Sequence, residues 1–164
     1  MTVTEVREAL DHCESFLDSA NARGTEIESF LTQYLLVAAY STFESEVEAI
    51  AIDRAAKLSD AEAAHYVRST HDNVVRGLRL TELSGFAGRF GESNKESFSA
   101  VITNTAAHAA WDSLLNDRHA SAHGEGAKMT MREFGDAFER ALVVLEALSV
   151  AIGAPRSYPA GGNT

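Results

Sequence analysis

Apolar residues return every third or fourth position along most of the chain, and no stretch alternates for long as a half-buried strand would. Both prolines, Pro155 and Pro159, fall in the last ten residues, so nothing before them forbids a helix interior. The pattern predicts an all-α protein, an antiparallel helical bundle. Helix starts are marked by Ser/Thr-x-x-Glu, a spacing that lets two side chains satisfy the unpaired N–H groups of a first turn. It occurs at Thr2/Glu5, Thr25/Glu28, Ser59/Glu62, Ser93/Glu96 and Thr130/Glu133, each ahead of a fresh apolar period. The same spacing at Ser41/Glu44 and Ser45/Glu48 falls inside a strong periodic run and marks no start.

These signals predict a first helix over about 3–22, with Val3, Val6, Leu10, Cys13, Leu17 and Ala20 on one stripe and Gly24 as its stop. A long second helix covers about 25–58. It carries one stripe of Ile27, Leu31, Tyr34 and Ala38 and another of Leu36, Phe43, Val47 and Ile50, so it should run through the middle of the domain. A third covers about 60–75. Short pieces follow, broken by Gly77, Gly85, Gly88 and Gly91. A helix over about 94–122 is expected to split near Asn104, and the last runs over about 131–152. The domain is expected over 1–153, with 154–164 a disordered tail.

The length of 164 residues suffices for a core without metal or disulfide support. Cys13 is the one cysteine, so no intrachain disulfide and no cysteine-based zinc site can form, which fits a reducing cytoplasm. The charged N-terminal segment is unlike a secretory signal, and the apolar run Leu35–Tyr40 is too short to cross a bilayer. The expected setting is therefore cytoplasmic, away from membranes. The net charge of −10 argues against a general nucleic-acid coat. That charge is concentrated in residues 1–62, whereas 63–95, with Arg68, Arg76, Arg79, Arg89 and Lys95, is net positive. Two readings of that segment stay open: a solvated surface, or an arm that tolerates an anion.

Residues 117–126, DRHASAHGEG, gather Arg118, His119 and His123 in this acidic chain. Ala107, Trp111, Leu114 and Leu115 form the apolar stripe of the helix that leads there. Its continuation falls on Arg118, which should point into a groove beside the packed surface. His119 and His123 stand four apart, on one face if the helix persists. Gly124 places His123 near a C-cap, where the helix dipole favours a protonated imidazole. A guanidinium can hold a phosphate while an imidazole moves a proton. Two other readings remain. His119 and His123, with His108 or a carboxylate such as Asp112, could ligate zinc, although the HExxH pattern is absent. Alternatively Arg118 pairs with Asp117 or Asp112, and His123 is a polar cap.

The run LLNDRHASAHGEG, followed by the capped amphipathic TMREFGDAFERALVVLEAL, resembles the HEPN superfamily of helical nucleotide-binding and ribonuclease domains, closest to its RiboL-PSP branch. The matching signature is Arg118, a polar neighbour, and His123 in an Ala-His-Gly ending. Tyr40-Ser41-Thr42-Phe43-Glu44 resembles the branch's aromatic–Glu position, and LSGFAGRFG (83–91) its linker segment. The branch often carries Asn or Asp directly after the Arg, where this chain has His119.

The resemblance implies a homodimer whose motif helices meet at the dyad, with a composite, metal-independent site and no cofactor. It implies RNA cleavage by attack of the 2′-hydroxyl, leaving a 2′,3′-cyclic phosphate. Arg118, His123 and His119 would be catalytic. Asp117, Asn116 and Glu44 would contact substrate, with Asp117 either fixing Arg118 or idle. A toxin–antitoxin or phage-defence role with a partner protein would follow. Some members of the superfamily bind RNA or nucleotides without cutting, so a non-catalytic binding or protein-interaction dimer is the competing expectation.

Overall fold

The computed structural model describes residues 1–74, 77–122 and 126–159. These residues form α1 (Val3–Ser19), α2 (Glu26–Ala56), α3 (Ala61–Val74), α4 (Leu80–Gly88), α5 (Glu92–Ile102), α6 (Ala106–Ala122) and α7 (Met131–Ala151), with no strand among them. The expected all-helical bundle is what the chain forms, and the helix expected over 94–122 splits where anticipated. Asn104 takes a left-handed conformation (φ 59°), and Thr105 Oγ1 accepts from His108 N to open α6.

The ends show which local signals operate. Thr2/Glu5 and Thr130/Glu133 form reciprocal capping boxes. Asp60, not Ser59, caps α3: its Oδ1 accepts from Glu62 N and Ala63 N. Ser93 lies inside α5, which starts after Gly91, whose φ of 142° suits only glycine. The first helix stops at Ser19, earlier than Gly24 would dictate. Asn21 is left-handed (φ 49°), and Ala22 N and Asn21 N donate back to Leu17 O and Asp18 O, closing a Schellman turn over the buried Ala22.

Thr25 caps α2, but Glu28 does not complete its box. The Glu28 carboxylate is buried and accepts from Gly24 N and, at 3.0 Å, from Met131 N, the first residue of α7. Both N–H groups hold its pKa below the usual carboxylate range. One side chain thus joins the starts of α2 and α7.

Contacts fix the directions of the helices. Glu28 meets Met131, Phe43 stacks on Phe138, and Lys57 Nζ reaches Gly153 O, so α2 and α7 run parallel. The Arg7–Glu139 ion pair (2.6 Å) and the hydrogen bond from Thr42 Oγ1 to Met1 O set α1 antiparallel to both. Phe43–Trp111 and Tyr40–Arg118 set α6 antiparallel to α2. At the centre, Phe43 stacks on Trp111 (4.6 Å) and Phe138 (5.6 Å), and Phe138 on Phe134 (5.9 Å). Such pairs contribute about 0.5–1.5 kcal/mol each beyond the area they bury. The α4–α5 pair packs on α7 mainly through α5, and α3 lies along α2.

Two expectations change in detail. The second α2 stripe is buried as expected, at Leu36, Phe43, Val47 and Ile50, whereas the first is divided: Ala38 is buried and Leu31 packs partly against the core, while Ile27 and Tyr34 belong to an uncovered face. Ile27, Phe30, Tyr34 and Val37 are exposed, from 46% at Ile27 to 65% at Phe30. Residues 154–159, expected as the start of a tail, are held instead. Ala154 is buried, Arg156 pairs with Glu46 and Asp53 at 2.8 Å each, and the Tyr158 hydroxyl donates to Glu46 at 2.7 Å. The acidic residues of α2 supply the partners that a Pro- and Gly-rich composition conceals. Residues 160–164 lie outside the described ones.

Candidate functional site

Trp111 organises the site from within the core. Its indole Nε1 donates to Leu78 O at 2.7 Å, pinning the segment before α4 against α6. That segment and α6 enclose a cleft of about 630 Å³ lined by Tyr40, Leu78, Arg79, Glu82, His108, Asp112, Asn116, Arg118 and His119, among others. Three separate parts of the sequence therefore meet: the middle of α2, the entry to α4 and the exposed face of α6.

Arg118 points into this cleft, as its place on the stripe predicted. Its Cζ lies 4.4 Å from the Tyr40 ring centroid, a cation–π stack. Its Nε is buried and has no hydrogen-bond partner among the described residues. Among the described residues no carboxylate pairs with it. Both candidates for that pairing are engaged elsewhere: Asp112 takes His108 Nε2 at 3.2 Å, and Asp117 faces the other side of α6. A half-buried guanidinium that is stacked on an aromatic ring rather than neutralised retains its donors for an anion.

Asp117 is buried, and its carboxylate accepts from Lys128 N (2.9 and 3.1 Å) and Met129 N (3.0 Å). It ties the end of α6 to the approach to α7. The substrate contact expected of it does not fit this orientation, and neither does a role in fixing Arg118. Asn116 lines the Arg118 cleft and also a shallower one on the Asp117 side. His119 is exposed and lines the Arg118 cleft. Glu44 is exposed and lies outside the cleft lining, close to Tyr40. Burial first, and the Glu44 charge second, push the Tyr40 hydroxyl pKa up, while Arg118 draws it down. Glu44 thus bears on the site through Tyr40. His123 lies outside the described residues.

Zinc ligation by His119 and His123 rests in part on that residue. Among the described residues no three His, Cys, Asp or Glu side chains gather as a metal site, and His108 is taken up with Asp112. No described helix is long and apolar enough to cross a membrane. Arg79 and His108 also line the cleft, Arg79 singled out in the sequence only as part of the net positive segment and His108 only as an alternative zinc ligand. The available signals were the net positive 63–95 segment for Arg79 and the shared α6 face for His108. Comparisons of the chain with family models, with curated proteins and with solved structures find no match.

Proposed function

We propose that the protein is a metal-independent endoribonuclease of the HEPN type, and that the Arg118 cleft holds the scissile phosphate. The observation that carries this reading is the state of Arg118: stacked on Tyr40 and, among the described residues, without a carboxylate partner and with a buried Nε that lacks a hydrogen bond, in a cleft shared with His119, Asn116 and Arg79. Donors held in place where charge develops stabilise a transition state without reorganising.

In the reaction, the ribose 2′-oxygen forms a bond to the adjacent phosphorus and gives its proton to a base. The bond from phosphorus to the 5′-oxygen breaks, and that oxygen takes a proton from an acid. The products are a 2′,3′-cyclic phosphate and a 5′-hydroxyl. Arg118 offsets the charge on the non-bridging oxygens, His123 transfers a proton, and His119 orients the phosphate. A second copy across a dyad supplies the other acid or base. The uncovered α2 face of Ile27, Phe30, Tyr34 and Val37 supports such a pairing: it leads by one helical turn from Val37 to Tyr40, and residues 29–43 carry no charge in a chain of net charge −10.

Purified protein incubated with total RNA tests this directly. Arg118→Ala should melt as the wild type does while cleavage falls roughly 100- to 1000-fold. Cleavage should continue in EDTA, and an all-DNA analogue should be inert because it lacks the attacking hydroxyl. Full activity in Arg118→Ala would remove the assignment, and inhibition by EDTA would favour zinc on His119 and His123. Retardation of RNA without decay would make the protein a binding module. The toxin–antitoxin or phage-defence setting, with a controlling partner protein, belongs to the same proposal. Its mark would be toxicity on expression in bacteria that Arg118→Ala relieves.

A further inference from the structure

The Arg118 cleft continues beyond its own wall. Leu80, Thr81 and His108 also line a second groove, of about 380 Å³, between α4 and α5. Its character differs. Leu80 and Gly85 give it an apolar surface, backed by the buried Phe98 and Ile102, and Ser84 Oγ and Ser99 Oγ lie 3.2 Å apart with either able to donate. Lys95, the one lysine or arginine on it among the described residues, is paired with Glu92 at 2.8 Å. The first cleft offers an unneutralised guanidinium, whereas the second offers apolar surface with adaptable hydroxyls and little net charge.

Gly85 is the telling residue. It sits inside α4, exposed, on the lining of the second groove, and a Cβ placed there would meet nothing within 4 Å. Glycine within a helix weakens it relative to alanine. No neighbour requires one here, since the backbone is helical and the space beside it is open. What the missing side chain does is leave the groove unobstructed. Ten residues separate His108 from Arg118 on α6, which sets them about 15 Å apart along the axis. One phosphate cannot touch both, so an occupant of both clefts is a strand.

We propose that the α4–α5 groove is a subsite for the nucleobase of a nucleotide flanking the phosphate at Arg118, and that the substrate is therefore single-stranded RNA. This rests on the function proposed above. A base in a duplex is stacked and paired, and only a splayed base can enter such a groove. The flat face lies over Gly85 and against Leu80, and the polar edge meets the Ser84–Ser99 hydroxyl pair.

The test measures fluorescence anisotropy of a short, labelled, single-stranded oligoribonucleotide whose 2′-O-methyl groups block cleavage, with tripolyphosphate as a base-free competitor. Gly85→Trp fills the groove and should weaken RNA binding by roughly tenfold or more, with tripolyphosphate competition unchanged. Gly85→Ala should bind as the wild type does. Arg118→Ala should weaken both ligands. Should Gly85→Trp melt early, Gly85→Met, a good helix former that also fills the space, takes its place. Unchanged RNA binding in the filled variants overturns the subsite while an Arg118→Ala defect leaves the nuclease reading standing. Equal loss of RNA and tripolyphosphate in the filled variants also overturns it, because the groove would then belong to the anion site. If the wild type binds neither ligand, the reading and the subsite fail together.

Discussion

Asp117 and Arg118 are neighbours on one helix and do opposite work, because successive helical residues point about 100° apart. Asp117 turns inward to the α6–α7 connection and spends its acceptors on Lys128 N and Met129 N. Arg118 turns to the cleft and keeps its donors. An arginine beside an aspartate in sequence invites the idea of a pair, and the helix geometry rules it out. The two residues should therefore separate by experiment. Asp117→Ala leaves two backbone N–H groups without their acceptor, at a cost of about 1–3 kcal/mol. For a chain of this size that lowers Tm by several °C. Asp117→Asn keeps one oxygen and should lose less. Thermal denaturation beside a cleavage assay checks this. Loss of activity at an unchanged Tm would return Asp117 to the substrate.

At the scale of elements, the helices and the face of α6 that carries Arg118 were legible, because both follow from a period of three to four residues. Cap positions were legible only where a motif had no rival. Asp60 out-competes Ser59 as a stronger acceptor one residue nearer the helix, and Glu28 leaves its own box for Met131 N, more than a hundred residues away. Tyr40 under Arg118 and Leu78 on Trp111 were equally hidden, since they are contacts between distant segments that no local pattern encodes.

The Glu28 bridge carries a pH signature. Its pKa is depressed in the folded protein by the Gly24 and Met131 N–H groups, while an unfolded glutamate titrates at about 4.3. The native state thus binds the proton less readily than the unfolded chain. The stabilisation is complete above the unfolded value, and it is lost as pH falls through that value toward the folded one. Glu28→Gln should be less stable than the wild type at neutral pH, with the difference shrinking as pH falls below the unfolded value of about 4.3. Glu5 and Glu133, also depressed by their capping bonds, act in both proteins and cancel in the comparison. Urea midpoints across that range measure it, and parallel curves would remove Glu28 from the account.

For the whole molecule the question is how a chain of net charge −10 could bring two copies of itself together. Like charges repel over about 8 Å at physiological ionic strength, so association is least opposed where charge is absent. Residues 29–43 of α2 provide that stretch, and Ile27, Phe30, Tyr34 and Val37 line it with exposed apolar surface at the a/d spacing of paired helices. A two-fold axis through this face would set two Tyr40–Arg118 clefts beside each other. Phe30, the most exposed of the four, stands away from the cleft lining, so Phe30→Glu should not disturb the site itself. It should shift a sedimenting dimer to monomer, and more so at low salt, where two new carboxylates repel across the axis. Cleavage should fall along with the dimer fraction and recover partly at high protein concentration, as mass action requires. A monomeric Phe30→Glu protein that cuts at the wild-type rate would show that one chain holds the full acid–base set. That outcome would discard the dyad while leaving the Arg118 cleft intact.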